Sequence, residues 1–190
     1  MTDLPRIAIL IGSTRPGRKG AAVGEWVHKI AAERTDARFE VLDLAAYDLP
    51  LLSEPTVPGA ANGVYECAQT QAWSAAVTEF DGFVWVTPEY NHGVPAAMKN
   101  ALDVLFGEWN HKAVGFVSYG ADGGVRAVEH WRAIVANVLM VGVRGQVALS
   151  LFQDWDGAEL APAAHKGASL TGMLDQLVAM TGALKPLRSA

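Results

Sequence analysis

A loop near the start of the chain carries the first residues that could do chemistry. The apolar run of residues 7–11 ends at Gly12, the hydroxyl residues Ser13 and Thr14 follow, and a helical pattern begins after Gly20. Such a loop offers free backbone N–H groups and the positive end of a helix dipole, which together favour phosphate. Three cations lie in the same loop: Arg15, Arg18 and Lys19. The sequence therefore predicts a phosphate site, with an ordinary tight turn as the alternative.

The spacing within this loop narrows the class of phosphate ligand. The loop begins like G-x-x-x-x-G-K-[ST] but continues Arg-Lys-Gly after Gly17, so no hydroxyl remains for Mg²⁺ and an NTPase loop is disfavoured. The dinucleotide fingerprint also fails, because Ser13 and Thr14 occupy the place of its glycine pair. Asp43 resembles the ribose-binding acid of dinucleotide folds, but the missing glycines argue against that role. A mononucleotide phosphate fits best.

Two further loops combine polar and aromatic residues. The segment 87–95 has prolines that fix the backbone, a glycine, Gly93, that allows a sharp bend, and the polar run Glu89, Tyr90, Asn91 and His92. We expect this segment to form a rigid wall of a binding site, with its aromatic ring and backbone amides facing a planar ligand. The alternative is an ordinary loop that only connects a strand to a helix. No second ligand lies at a usable spacing from His92, which argues against a metal. The segment 118–124 again combines a hydroxyl, an aromatic residue and glycines.

Alternating strands and helices place these loops together. Strands are predicted at residues 7–11, 38–44, 83–86, 113–118 and 143–149, and helices at 21–33, 65–80, 96–105, 125–141 and 169–184, with 152–165 irregular. This alternation predicts one α/β domain over residues 1–190, a doubly wound parallel sheet in the order 2-1-3-4-5. Ligands of such sheets bind between strands one and three, beyond their carboxyl ends. A phosphate end and a ring end fit FMN.

Composition limits the classes of protein. Hydrophobic residues make up 51% and charged residues 18%, which suits a buried parallel sheet, and the net charge of −5 gives no support for nucleic-acid binding. Cys67 is the single cysteine, which excludes an internal disulfide, and we expect an inert thiol packed within helix 65–80. No signal peptide or membrane span is evident, so no membrane association and a cytoplasmic location are expected.

At this point the chain resembles a known family. The segments G-S-T-R-P-G-R from Gly12, D-L from Asp43 and L-P-L from Leu49, and above all P-E-Y-N-H-G-V-P-A-A-M-K-N-A-L-D from Pro88, are similar to the NADPH-dependent FMN reductases. These are flavodoxin-like proteins that include quinone, azo and chromate reductases. The resemblance covers roughly the first 125 residues and implies a flavodoxin-like three-layer sandwich.

The resemblance also implies which residues bind FMN. The phosphate end would be held by Ser13, Thr14, Arg15 and Arg18, with Gly20 and Ala21 close by. The isoalloxazine ring would be lined by Pro88, Glu89, Tyr90 and Asn91 on one side, and by Ser118, Tyr119 and Gly120 at its other edge.

For the reaction, the resemblance implies hydride transfer from NADPH or NADH to bound FMN, and then to a small quinone-like, flavin or related acceptor. No catalytic side chain is implied, because the flavin carries the chemistry. A homodimer or homotetramer is implied too, with an exposed Trp109 and the loop 49–58 as candidate subunit contacts. Two alternatives stay open: a flavodoxin-type electron carrier, which the three loop cations disfavour, and a non-catalytic nucleotide-binding module.

Overall fold

The computed structural model describes residues 4–188, and its centre is a five-stranded parallel sheet. The strands are β1 (Arg6–Ile11), β2 (Arg38–Asp43), β3 (Gly82–Pro88), β4 (Ala113–Gly120) and β5 (Val141–Ser150). They lie in the order β2-β1-β3-β4-β5, and every neighbouring pair is parallel. The flavodoxin-like topology predicted from the sequence is confirmed.

Helices cover both faces of this sheet. They are α1 (Gly20–Ala31), α2 (Pro58–Ala61), α3 (Ala68–Thr78), α4 (Ala96–Asp103), α5 (Val125–Asn137) and α6 (Ala164–Leu184). The buried side chains of α1 and α6 form one hydrophobic cluster with one face of the sheet, and those of α3, α4 and α5 form a second cluster with the other face. Because both faces are covered, β3 and β4 are buried along their whole lengths, as their continuous apolar runs predict.

Trp109 was expected at the surface, and that expectation is wrong. The indole is 1% exposed and packs among the aromatic rings of the second cluster, with its centre 5.9 Å from that of Trp85. Its ring N–H donates to the carbonyl of Leu102 at 3.1 Å. A polar residue, Glu108, precedes it in a short 3₁₀ turn, which hides the apolar character of the position in the sequence. Trp109 is therefore part of the core and offers no surface to another subunit.

The prediction for Cys67 is also wrong. The third helix begins at Ala68 rather than at Tyr65, so Cys67 is the N-cap residue and is partly exposed. Hydrogen bonds from Thr70, first from its backbone and then from its side chain, lower the pKa of the thiol. The lowered pKa follows from the position of the thiol at the start of a helix, where the thiolate form is favoured.

The segment 152–165 contains more regular structure than the sequence indicated. A small antiparallel hairpin joins β6 (Trp155–Asp156) to β7 (Glu159–Leu160) through Gly157, whose φ is 58°. The turn residues are Gly157 and Ala158, and glycine at the first of two turn positions is typical of a type II′ turn. Helix α6 then starts at Ala164, five residues before the predicted start. Among residues 4–188, none of the helices has the length and apolarity that crossing a membrane requires.

Candidate cofactor site

Three loops meet at the carboxyl edge of the sheet. In the parallel register Ile11 pairs with Val86, and Pro88 pairs with Tyr119, so β1, β3 and β4 end side by side. We call the segments that follow these strands the first loop (residues 12–19), the second loop (89–95) and the third loop (121–124). Neighbouring connections diverge between β1 and β3, which opens the crevice in which α/β proteins of this topology bind ligands.

The first loop leads into a helix whose amino terminus is not capped by a side chain. Lys19 occupies the N-cap position of α1, and the first helical bond runs from Val23 N–H to the Lys19 carbonyl at 3.2 Å. Within residues 4–188, several amides of the loop and the first turn have no acceptor: Ser13, Thr14, Gly20 and Ala21. Such a group of free amides, at the positive end of a helix dipole, favours an anion.

The hydroxyl of Tyr119 lies against the same helix terminus. A Cβ atom on Gly20 would lie 2.8 Å from this oxygen, so glycine is what allows the close approach. Tyr119 is 6% exposed, and no described residue forms a hydrogen bond with its hydroxyl, because the Ser13 hydroxyl bonds instead to that of Tyr90 at 3.0 Å. Burial raises the pKa of Tyr119 to about 12, against a smaller opposing effect of Ser13. The phenol is therefore protonated, and its O–H group has no acceptor within the described chain. A bound anion would supply that acceptor.

Arg18 is occupied by contacts within the protein. Its guanidinium donates to the Ser13 carbonyl at 2.9 Å and forms an ion pair with Asp43 at the end of β2. Asp43 also accepts the backbone N–H of Ala45 at 3.0 Å. Arg18 and Asp43 thus fasten the first loop to the neighbouring strand, a contact that the sequence did not indicate.

A cavity of about 130 Å³ lies between the first and second loops. Seven of the predicted cofactor residues border it: Arg15, Arg18, Pro88, Glu89, Tyr90, Tyr119 and Gly120. Two residues that were not predicted, Lys19 and Leu151, complete its lining. The structure thus brings part of the predicted phosphate and ring residues to one cavity. The other predicted residues do not border it: Ser13, Thr14, Gly20, Ala21, Asn91 and Ser118.

The second loop is a tight turn with its own internal hydrogen bonds. Tyr90 and Gly93 exchange two backbone bonds of 3.2 and 3.0 Å, and Asn91 and His92 have φ values of 50° and 63°. This is the pattern of a type I′ turn. The sharp bend is therefore made by Asn91 and His92, and not by Gly93 as predicted. Within the described chain the amides of Asn91 and His92 have no acceptor, which leaves them available to a ligand.

The side chain of Glu89 anchors the second loop to the start of helix α5. Its carboxylate accepts the backbone N–H groups of Arg126 at 3.0 Å and of Ala127 at 3.3 Å, at the start of α5, and also pairs with the Arg126 guanidinium. The Glu89 side chain is only 9% exposed. A carboxylate at a helix start is stabilised by the helix dipole. The side chain thus anchors the second loop to α5, and Glu89 also borders the cavity.

The side chain of Ser118 anchors the third loop in a similar way. Its side chain is fully buried, and its hydroxyl donates to the carbonyl of Gly123 at 2.6 Å. Gly123 and Gly124 have φ values of 75° and 72°, and a Cβ on Gly124 would lie 2.9 Å from that of Ser118. The two glycines let the chain fold back over β4, and Ser118 holds that turn in place.

A larger cavity of about 430 Å³ lies on the other side of Thr14. Its walls come from the loop after β2 and from the start of α4, and include Leu49, Leu51 and Ala97. Asn100 fixes the loop against α4, because its side chain donates to the Pro50 carbonyl at 2.8 Å and accepts the Leu52 N–H at 3.0 Å. This cavity was not predicted from the sequence. The signal that could have indicated it is Asn100, an amide side chain within helix α4.

These residues fit a flavin mononucleotide. The first loop offers amides, cations and the unpaired Tyr119 hydroxyl to a phosphate, and the second loop offers amides and the Tyr90 ring to a flat polar ring system. Among residues 4–188, no group of three or more histidine, cysteine or acidic side chains is placed to hold a metal ion.

Comparison with known proteins decides the family. Residues 5–154, which are most of the chain, match the family model described as NADPH-dependent FMN reductase. The chain belongs to the NADPH-dependent FMN reductase family. As a member of this family it is an oxidoreductase that uses FMN and a reduced nicotinamide nucleotide, as the resemblance implied.

Several curated relatives and solved structures agree with this assignment. An NAD(P)H-dependent FMN reductase of Schizosaccharomyces pombe is 36% identical over 79% of this chain and 75% of its own length. A quinone reductase of Escherichia coli is 30% identical over 71% of both chains. The flavoenzyme FerB, an NAD(P)H:(acceptor) oxidoreductase of Paracoccus denitrificans, superimposes with a TM-score of 0.71 over 94% of this chain and 98% of its own, at 19% identity. The last likeness concerns the fold alone.

Proposed function

We propose that this protein binds FMN at the carboxyl edge of its sheet and passes hydride from NAD(P)H through the flavin to a small quinone-like, flavin or related acceptor. The observation that carries the proposal is the buried Tyr119 hydroxyl without a partner, beside the uncapped start of α1. Free amides surround it in the first loop. Together these groups offer a phosphate monoester several donors that the fold itself does not use.

In this proposal the protein binds and orients, while bound FMN supplies the ring that accepts and donates hydride. The first loop and the Tyr119 hydroxyl hold the phosphate. The amides of Asn91 and His92 would donate to the bound ring and favour negative charge on it. Glu89 and Ser118 keep the second and third loops in shape through their buried hydrogen bonds. No side chain is assigned as a catalytic acid or base.

The 430 Å³ cavity beside Thr14 supports a small aromatic carbonyl compound as acceptor. Its leucine and alanine walls suit an apolar ring, and Asp48 and Asn100 supply polar groups at its border. Its volume is in the range of ordinary small-molecule sites. The Escherichia coli relative is named a quinone reductase, which agrees with this chemistry.

The same region supports association into a homodimer or homotetramer. The loop 49–58 exposes Leu51 at 78%, Leu52 at 43% and Val57 at 68% of their surfaces, and it borders the cavity. Adjacent exposed apolar side chains of this size are typical of protein contacts. A monomeric mass by light scattering at micromolar concentration would remove this part of the proposal.

An anaerobic absorption titration tests the proposed function. The purified protein should take up FMN, and its flavin bands should bleach when NADPH or NADH is added and return when a quinone follows. Comparing the two nucleotides at equal concentration reports which is preferred. Flavin bands that persist with both nucleotides would favour an electron carrier, and a protein that takes up no flavin would favour a non-catalytic nucleotide-binding module.

A further inference from the structure

We propose that Lys19, held in position by the ring of Trp155, is a cation that neutralises the phosphate of FMN beside Arg15, and that Arg18 serves to fasten the first loop. This assignment rests on the proposed function, because it concerns the phosphate end of the same site. It differs from the resemblance, which implies Arg15 and Arg18 as the charged phosphate ligands. Neither Lys19 nor Trp155 lies among the residues implied by the family motifs.

Arg18 has little positive charge to offer. Its guanidinium is 18% exposed, is paired with the carboxylate of Asp43 and donates to the carbonyl of Ser13. The Arg18–Asp43 pair is neutral as a unit. An anion that took Arg18 away from Asp43 would leave a partly buried carboxylate without its partner, which costs free energy. The pair therefore acts as a fixed support for the loop.

Lys19 is placed differently. Within residues 4–188 its ammonium makes no ion pair or hydrogen bond with a carboxylate, and it stands 4.9 Å from the centre of the Trp155 ring. It also borders the 130 Å³ cavity, together with Tyr119. A cation–π contact restricts the position of an ammonium without neutralising it. Lys19 thus keeps its full charge at the cavity, at the N-cap of α1 where an anion is already favoured.

The hairpin that carries Trp155 is itself well anchored. Asp154 is 2% exposed; its carboxylate accepts the Ser150 N–H at 2.7 Å, and its carbonyl accepts the Ala161 N–H at 2.9 Å. The Trp155 ring lies 6.3 Å from that of Tyr119, centre to centre. The hairpin therefore joins the cation and the buried phenol into one wall of the cavity. The indole N–H has no acceptor in the described chain, so a test must separate the ring from its N–H.

The ligand group recognised here is a phosphate monoester dianion. FMN and riboflavin differ by that group alone, so the ratio of their affinities isolates the contacts to it. The flavin-free full-length protein should be titrated with each flavin, following the quenching of flavin fluorescence. This readout is binding and does not depend on turnover.

We expect Lys19→Gln to weaken FMN binding about tenfold and to leave riboflavin binding unchanged, since one charge-assisted contact to the phosphate is lost. Lys29→Gln is the matched control, because Lys29 is an exposed lysine of the same helix. It should change neither affinity. Unchanged FMN affinity in Lys19→Gln, with wild type binding FMN normally, would overturn the assignment of Lys19 alone. A wild type that binds neither flavin would overturn the proposed function as well.

A double-mutant cycle tests whether Trp155 acts through Lys19. Trp155→Leu should weaken FMN binding several-fold in the wild-type background and have no further effect in the Lys19→Gln background. Trp155→Phe keeps an aromatic face and should retain most of the affinity, which separates the ring from the indole N–H. Equal losses from Trp155→Leu in both backgrounds would overturn the positioning role.

Arg18→Gln completes the comparison. Because Arg18 acts through its pair with Asp43, Arg18→Gln and Asp43→Asn should weaken FMN binding to a similar extent. A loss of FMN binding that is larger in Arg18→Gln than in Lys19→Gln, and absent from Asp43→Asn, would show that Arg18 itself binds the phosphate and would overturn the proposal.

Discussion

The two edges of the sheet differ in how their buried polar groups are satisfied. At the amino edge, Lys112 donates to the Val77 carbonyl at 2.9 Å, and Arg188 pairs with Asp81. At the carboxyl edge, the Tyr119 hydroxyl has no partner within residues 4–188. The amides of the first loop lack partners as well. The amino edge does leave the buried Thr181 hydroxyl, beside Gly82, without a partner in the described chain. The carboxyl edge differs because its unpaired phenol lies next to a group of free amides at a helix start.

This difference explains where the cofactor belongs. An unpaired buried donor such as the Tyr119 hydroxyl costs about 1–3 kcal/mol, so a site that keeps one beside free amides has another requirement to meet. The amino edge contains cavities too, of about 490 and 550 Å³, but the charged groups that border them already have partners in the protein. An unpaired buried donor grouped with free amides at a helix start locates the site better than cavity volume does.

The largest expected effect concerns Lys112 at the amino edge. Burial, and then the nearby Arg188, lower the pKa of Lys112 to about 8, against the opposing effects of Asp81, Glu108 and Glu79. In the unfolded chain this pKa is about 10.4. Between these values the unfolded state binds more protons, so this group makes the free energy of unfolding rise with pH.

Urea unfolding of wild type and Lys112→Met across this range measures the contribution. The difference in free energy of unfolding, wild type minus variant, should grow by up to about 3 kcal/mol from pH 8 to about pH 10. Lys29→Met, at an exposed position, should show no such change relative to wild type. Parallel curves for wild type and Lys112→Met would show that the ammonium of Lys112 is not buried as described. FMN affinity should stay unchanged in Lys112→Met.

A smaller effect is expected at Glu89, which is a satisfied group at the otherwise open edge. Glu89→Ala removes the acceptor of two amides at the start of α5, and should lower the free energy of unfolding of the flavin-free protein by about 2 kcal/mol. Glu89→Gln keeps a side-chain oxygen in place and should lose less. Equal stability of wild type and Glu89→Ala in urea unfolding would mean that the second loop does not depend on this anchor.

Much of the architecture could be predicted because it depends on patterns along the chain. The continuous apolar runs of β3 and β4 indicate strands buried on both faces, and their alternation with helices gives the parallel topology. Once the strand order is expected, the meeting of the three loops follows from geometry, since parallel strands end at the same edge. The bounds of the strands were accordingly close to those observed.

The detailed roles of side chains could not be predicted, because they depend on contacts between distant parts of the chain. Arg18 looked like a free cation, but Asp43 lies 25 residues further on and occupies it. Glu89 looked like a ring-facing residue, but the start of α5 takes its carboxylate. Trp109 looked exposed within a polar turn, whereas it fills the core. Lys19 gained its position only from the hairpin that carries Trp155.

Tyr119→Phe tests the central claim most directly, because it removes the unpaired hydroxyl and keeps the ring. We expect the flavin-free protein to become more stable by about 1 kcal/mol, since an unsatisfied buried group is lost. We expect FMN binding to weaken about tenfold, with riboflavin binding unchanged. Urea unfolding of wild type and Tyr119→Phe measures the change in stability, and flavin titration of the same two proteins measures the change in affinity. A variant that loses stability without FMN, yet binds FMN as well as wild type, would contradict the account.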